Sequence, residues 1–175
     1  SYPAAISRTS YARTTDGANN WGLTALPTPG KSNDGSVFAT ARLDAPIINK
    51  DSQLFTSSFI ARVTIPDGAT LKYTVNTTTT YRFRLFQDGM LPSEVITRSY
   101  IYKDKEFKLP VISVVTDPVN LYDDSLGVYV KGVNGRPGNG QSTPCNWNME
   151  WDRPVNFEYI TPDGKMAFNQ EVDFA

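Results

Sequence analysis

The residues of this chain that could do chemistry crowd into one stretch, Asp117 to Arg153. Histidine is absent throughout, which rules out a Ser-His-Asp triad, a Cys-His dyad and any histidine-bearing zinc site. Cys145 is the lone thiol, so no disulfide can form within the chain. It sits beside Pro144 in a polar segment with no neighbouring base, and a thiol nucleophile needs one to become a thiolate. No catalytic role is expected for it. Asp117, Asp123 and Asp124 supply oxygen ligands of the kind that hold Ca²⁺ or Mg²⁺, but their spacing lacks the alternation and final Glu of an EF-hand. Turn formation and capping are the commoner use. Glu150 and Asp152 flank Trp151, and paired carboxylates invite a glycosidase reading; with Arg153 adjacent, surface ion pairing is expected instead.

The segment Gly132 to Gln141, GVNGRPGNGQ, has glycines enough to suggest a phosphate cradle. It lacks the spacing of a P-loop and no helix evidently follows, so a flexible surface loop is the plainer expectation. Arg136 is its one charge. Trp147 and Trp151, with Tyr129, could form an aromatic platform for a sugar or peptide, although aromatics in a small β protein more often fill its core. Trp147, Trp151 and Arg136 are therefore the candidate ligand or partner contacts. No catalytic or metal-ligating residue is expected, and the cofactor-binding residues stay open.

Extended segments must position these side chains. Val111 to Val115 is a short β-branched run closed by Thr116-Asp117-Pro118, the pattern of a buried strand. A second strand is expected over Gly127 to Lys131. Then follows a long Gly/Asn/Pro loop to Asn146, too poor in apolar residues to pack as a regular element. Arg153 to Ile160 alternates, with Val155, Phe157 and Tyr159 on one face and Asn156, Glu158 and Ile160 on the other. Thr161-Pro162-Asp163-Gly164 turns into a strand from Lys165 to Phe168. Upstream, Leu43 to Tyr102 holds short strands at intervals of about ten residues, the rhythm of an Ig-like sandwich. They cover Ala45 to Ile48, Phe59 to Ile65, Leu71 to Val75, Thr80 to Phe86 and Val95 to Tyr102. Phe59, Val63, Tyr81, Phe83 and Leu85 are its expected core, and Arg82, Arg84 and Arg98 its solvated charges. Tyr11 to Asn33 reads as an exposed, irregular connector anchored by Trp21.

The bulk numbers bound the partners. With 17 basic and 18 acidic residues the net charge is −1, so no global field favours nucleic acid or an anionic membrane. No run of apolar residues is long enough for a transmembrane segment. Ser1-Tyr2-Pro3 carries no signal peptide and reads as an internal start.

Three resemblances add to this. LPVISVVTDPVNLYD, then GVYVKG, then WDRPVNFEYITPDGK resemble the opening of the spore-coat protein H (CotH) kinase-like family. DGATLKYT followed by TTTYRFRLFQDGMLPSEVITRSYI is similar to the chitobiase/β-hexosaminidase C-terminal Ig-like module, a non-catalytic accessory. The pattern from Arg13 to Gly17, Asn20-Trp21 and Pro27 to Gly30 resembles the end of a lamin-tail domain. The Ig-like resemblance departs from its family at Thr74-Val75, where a hairpin normally intervenes. Either the hairpin is lost or loop residues are missing from the sequence, and the second is favoured because a lost strand exposes a sheet edge.

The resulting expectation is a mainly-β chain: an Ig-like β-sandwich followed by a β-meander that begins a kinase-like domain. Its parts are a lamin-tail-like remnant and linker (1–42), the accessory sandwich (43–104) and the truncated meander (105–175). The resemblances imply a non-catalytic piece of an extracytoplasmic, multidomain bacterial surface protein. Its partners would be other domains of the same chain and a cell-surface glycan or protein. ATP and Mg²⁺ would serve only the full-length parent, with the Gly132 to Gly140 loop near the nucleotide. A carbohydrate-binding or adhesion module is the alternative.

Overall fold

The structure, a computed structural model, describes residues 8–174; the expectations for Ser1-Tyr2-Pro3 and for Ala175 fall outside them. The chain is mainly β, built as several small sheets. It divides into two compact units, each drawn from several stretches. One takes the residues up to Asn49, Ala61–Tyr73 and Arg82–Ile96; the other takes Lys50–Ile60, Thr74–Tyr81 and the residues from Thr97 onward.

The first unit opens with a hairpin, not the irregular connector expected over Tyr11 to Asn33. Strands β1 (Ser10–Arg13) and β2 (Trp21–Thr24) pair antiparallel, with Arg13 opposite Trp21. Trp21 stacks on Tyr11 at 5.9 Å between ring centroids, and the Arg13 guanidinium lies 5.4 Å from its ring. Leu23 then clusters with Ala39 and Leu91 in a small buried core. The segment therefore has a few apolar contacts of its own, which together with the ladder suffice to order it.

The expected sandwich strands form, with one addition. Strands β3 (Ile47–Ile48), β5 (Phe59–Thr64) and β6 (Thr70–Val75) make one sheet in the order β3-β5-β6. Strands β4 (Gln53–Phe55), β8 (Ile96–Tyr102) and β7 (Thr79–Phe83) make another in the order β4-β8-β7. The addition is β4, which pairs parallel with β8 and was hidden between the polar residues Asp51-Ser52 and Thr56 to Ser58. At the Thr74-Val75 departure the chain runs on through Val75, and Asn76 to Thr78 carry it from an edge strand of one sheet to an edge strand of the other.

The core differs from the expected set. Val63 is buried, but Phe59, Tyr81, Phe83 and Leu85 are only half-buried. In their place Ile48, Leu54, Phe55, Ala61, Val75 and Tyr100 are enclosed. Phe83 and Leu85 instead line an open hollow of about 430 Å³ with Pro46, Ile65 and Leu71. Arg82 and Arg84 are exposed as expected, whereas Arg98 keeps only 17% of its side chain in solvent and pairs with Asp51 at 3.6 Å.

In the second unit, β9 (Val111–Val115), β12 (Arg153–Ile160) and β13 (Met166–Phe174) form an antiparallel sheet in the order β13-β12-β9. The last strand is longer than the Lys165 to Phe168 expected. It continues opposite the whole of β12, with one bulge between Tyr159 and Ile160. Two further expectations are corrected between β9 and β12. Gly127 to Lys131 is not a strand, because a short helix α1 (Pro118–Tyr122) precedes it and uses its donors. The Gly127, Val128 and Tyr129 amides bond back to the Asp123, Asn120 and Leu121 carbonyls. A Cβ at Gly127 would lie 2.6 Å from two of these oxygens, so the fold-back requires glycine. The Gly/Asn/Pro stretch is also not featureless: β10 (Arg136–Gly138) and β11 (Gln141–Cys145) pair across Asn139-Gly140. Both turn residues have positive φ (50° and 75°), the type I′ geometry that Asn-Gly favours.

The β12–β13 turn closes with the Gly164 amide on the Thr161 carbonyl at 2.8 Å. Asp163 accepts from the Thr161 hydroxyl and pairs with Lys165, and these bonds, Thr161 first, hold its carboxyl below the ordinary 3.8. A carboxyl lowered in the folded state contributes stability above its unfolded value and loses it as pH falls through the folded one. Protection of the Gly164 amide from hydrogen exchange should therefore fall below about pH 4, and in Asp163→Asn that acid step should disappear.

Candidate functional site

Asn146 organises the stretch in which the chemistry was sought. It is fully buried and opens a one-turn 3-10 segment, Asn146–Asn148. Its Nδ2 donates to the Asp124 and Gly127 carbonyls, each at 3.0 Å, and its Oδ1 accepts from the Asn134 amide at 3.2 Å. A side-chain amide thus satisfies three backbone groups of the preceding segment, where a strand ladder would otherwise do so. Asn148, also buried, repeats the device. Its Nδ2 donates to the Arg136 carbonyl at 3.0 Å and its Oδ1 accepts from Asn139 at 2.8 Å.

These contacts decide what the glycines are for. A Cβ at Gly132 would overlap the Asn146 amide, one at Gly135 the Cys145 backbone, and one at Gly138 would come within 2.9 Å of Asn148. Their bare backbones are occupied by the chain's own packing. The segment is pinned by these contacts rather than loose. Cys145 is buried and free, with its thiol 3.5 Å from the Thr143 carbonyl.

Trp147 is 45% exposed. Trp151 is half-buried, with the Arg153 guanidinium 4.8 Å from its ring centroid, so one face is already covered. Arg136 donates to the Asn148 carbonyl at 2.7 Å and pairs with Glu150 at 2.8 Å, both side chains being largely in solvent. Glu150 is thus the surface ion pair expected, with Arg136 in place of Arg153. Asp117 caps α1 by accepting from the Val119 amide, and Asp123 accepts from the Ser125 and Leu126 amides.

Glu158, a fully buried carboxyl residue, carried no functional weight in the sequence. Its carboxyl is completely buried on the inner face of β12, where Oε1 accepts from Ser52 Oγ and from Asn169 Nδ2 (2.9 Å). Ser52 Oγ in turn accepts from the Ser99 amide at 2.9 Å, and Asn169 also donates to the Thr97 carbonyl at 3.2 Å. Glu158 Oε2, like Asn156 Nδ2 one pleat away, is enclosed without a hydrogen-bond partner. The only signal in the sequence was its alternation with Ile160.

The outer face of this sheet is apolar. Opposed residues of antiparallel strands share a face, so Ile112, Tyr159 and Phe168 form one row and Val114 and Phe157 begin the next. Phe168 stacks on both Phe157 and Tyr159 at 5.6 Å, with ring planes within 13° and 8° of parallel. Beyond them a groove of about 430 Å³ opens among Val114, Leu121, Tyr122, Tyr129, Val155 and Phe174.

These features define a mainly-β protein with a buried polar cluster around Glu158 and a second unit that carries an apolar face. No protein-family model matches the chain, and neither a curated protein nor a solved structure matches it significantly.

Asn146→Ala should cost about 3 kcal/mol or more, since three backbone groups lose a buried partner at about 1–3 kcal/mol each. Urea unfolding of the variant beside Trp147→Ala, which should stay within about 1 kcal/mol of the parent, checks this.

Proposed function

We propose that the chain is a structural, non-catalytic part of an extracytoplasmic, multidomain bacterial surface protein. In this reading an Ig-like accessory sandwich leads into the first strands of a CotH-like kinase domain. One observation carries the non-catalytic part of this reading: Glu158, the one fully buried carboxyl among the described residues, is spent on bracing. It ties β12 to β13 through Asn169 and to the Ser52 segment, which Ser99 holds in turn. A group that acts as acid, base or ligand must reach its substrate, and this one is closed off. The outer apolar face then serves contact with other protein, and ATP with Mg²⁺ belongs to the parent's further residues.

The experiment is phosphotransfer from labelled ATP with Mg²⁺, to itself and to casein, by the chain as it stands. The expected result is no transfer above a protein-free control, and transfer abolished by Glu158→Gln would refute the reading. Glu158→Ala should instead lower stability by about 2 kcal/mol or more.

A second reading, carbohydrate binding, is favoured by the 45% exposure of Trp147. Because Trp151 is partly covered by Arg153, binding on a glycan array should then be lost in Trp147→Ala and kept in Arg84→Ala.

A further inference from the structure

Strand β9 is an edge. It pairs with β12 on one side, and among the described residues no other strand runs alongside it. Edge strands ordinarily carry a charge, a proline or a bulge that discourages further pairing. Val-Ile-Ser-Val-Val carries none of these. Its outward side chains, Ile112 and Val114, are each 55% exposed.

We propose that this edge is the contact surface for a second copy of the chain, β9 pairing antiparallel with β9 about a two-fold axis through Ser113. The strand is symmetric about that residue in the sense the axis needs. Val111 would face the partner's Val115, and Ile112 the partner's Val114, so an isologous contact buries apolar side chains against apolar ones. The axis is perpendicular to the sheet. Both outer faces therefore stay on one side, and the two three-stranded sheets become a continuous one.

Area and charge favour a copy of the same chain as the occupant. Leu109 (77%), Ile112, Val114, Tyr122 (60%) and Tyr129 (74%) are exposed on or beside the strand. They form an apolar margin on and beside the edge, and a contact that clears ~1,000 Å² in total would have to bury most of it on both copies, which suits a weak dimer. A formal net charge of −1 means that two copies meet with little mutual repulsion. Nothing in this geometry depends on the proposed function.

Sedimentation velocity of the chain from about 1 to about 100 µM reads the outcome, a range that brackets micromolar association. The apparent mass should rise with concentration from 19.4 kDa towards twice that value. Val114→Lys places a charge on the exposed edge without touching the core, and should weaken association at least about tenfold with an unchanged circular dichroism spectrum. Phe168→Lys changes the same outer face on the far strand, and should leave the dimer intact. A single 19.4 kDa species at every concentration would overturn the proposal and leave the edge to a different protein. A dimer that survives Val114→Lys, or is lost in Phe168→Lys, would equally overturn it, because the contact would then be elsewhere on the molecule.

Discussion

The second unit depends on one buried carboxyl. Enclosing Glu158 carries a desolvation cost that only hydrogen bonds offset, and Ser52 and Asn169 supply them from a loop and from the neighbouring strand. This constraint fixes the register of β12. A slip by one residue would expose Glu158 and turn Phe157 and Tyr159 inward, leaving Ser52, Ser99 and Asn169 without the group they converge on. The same constraint sends the aromatic residues of β12 and β13 to the outer face. Polarity inside and apolar surface outside are two consequences of one alternation.

A comparable economy orders the segment between β9 and β12. It has too few apolar side chains for a hydrophobic core, so order comes from amides. Asn146 and Asn148 bond to backbone groups that a β ladder would otherwise satisfy, and glycines let the chain come close enough to reach them. Such a segment tolerates little change at its glycines and asparagines, because their contacts hold it in place. In a sequence read alone, this demand looks the same as the demand of a phosphate-binding loop. Both need bare backbone near a hydrogen-bonding partner, and only the identity of that partner separates them.

Strand positions were the legible part of the fold. Val111 to Val115, Arg153 to Ile160 and most sandwich strands follow from alternation and from turn residues at their ends, because those signals act within a few residues. The hairpin across Asn139-Gly140 was missed, although Asn-Gly is a strong turn signal, because its flanking residues have no apolar pattern. Gly127 to Lys131 misled in the opposite direction: its valines and tyrosine suit a strand, but its amides were claimed by α1.

What the sequence by itself determined was the mainly-β class, the turns and the two faces of β12, all properties of neighbouring residues. Which of those faces would be inside was decided by the tertiary structure. Ser52, Ser99 and Asn169 come from places far apart in the chain, and only their convergence gives the buried Glu158 Oε1 its hydrogen bonds. The candidate site follows the same division. Trp147, Trp151 and Arg136 were visible as residue types, but that Arg153 covers Trp151 and Glu150 holds Arg136 depends on distances no local pattern contains.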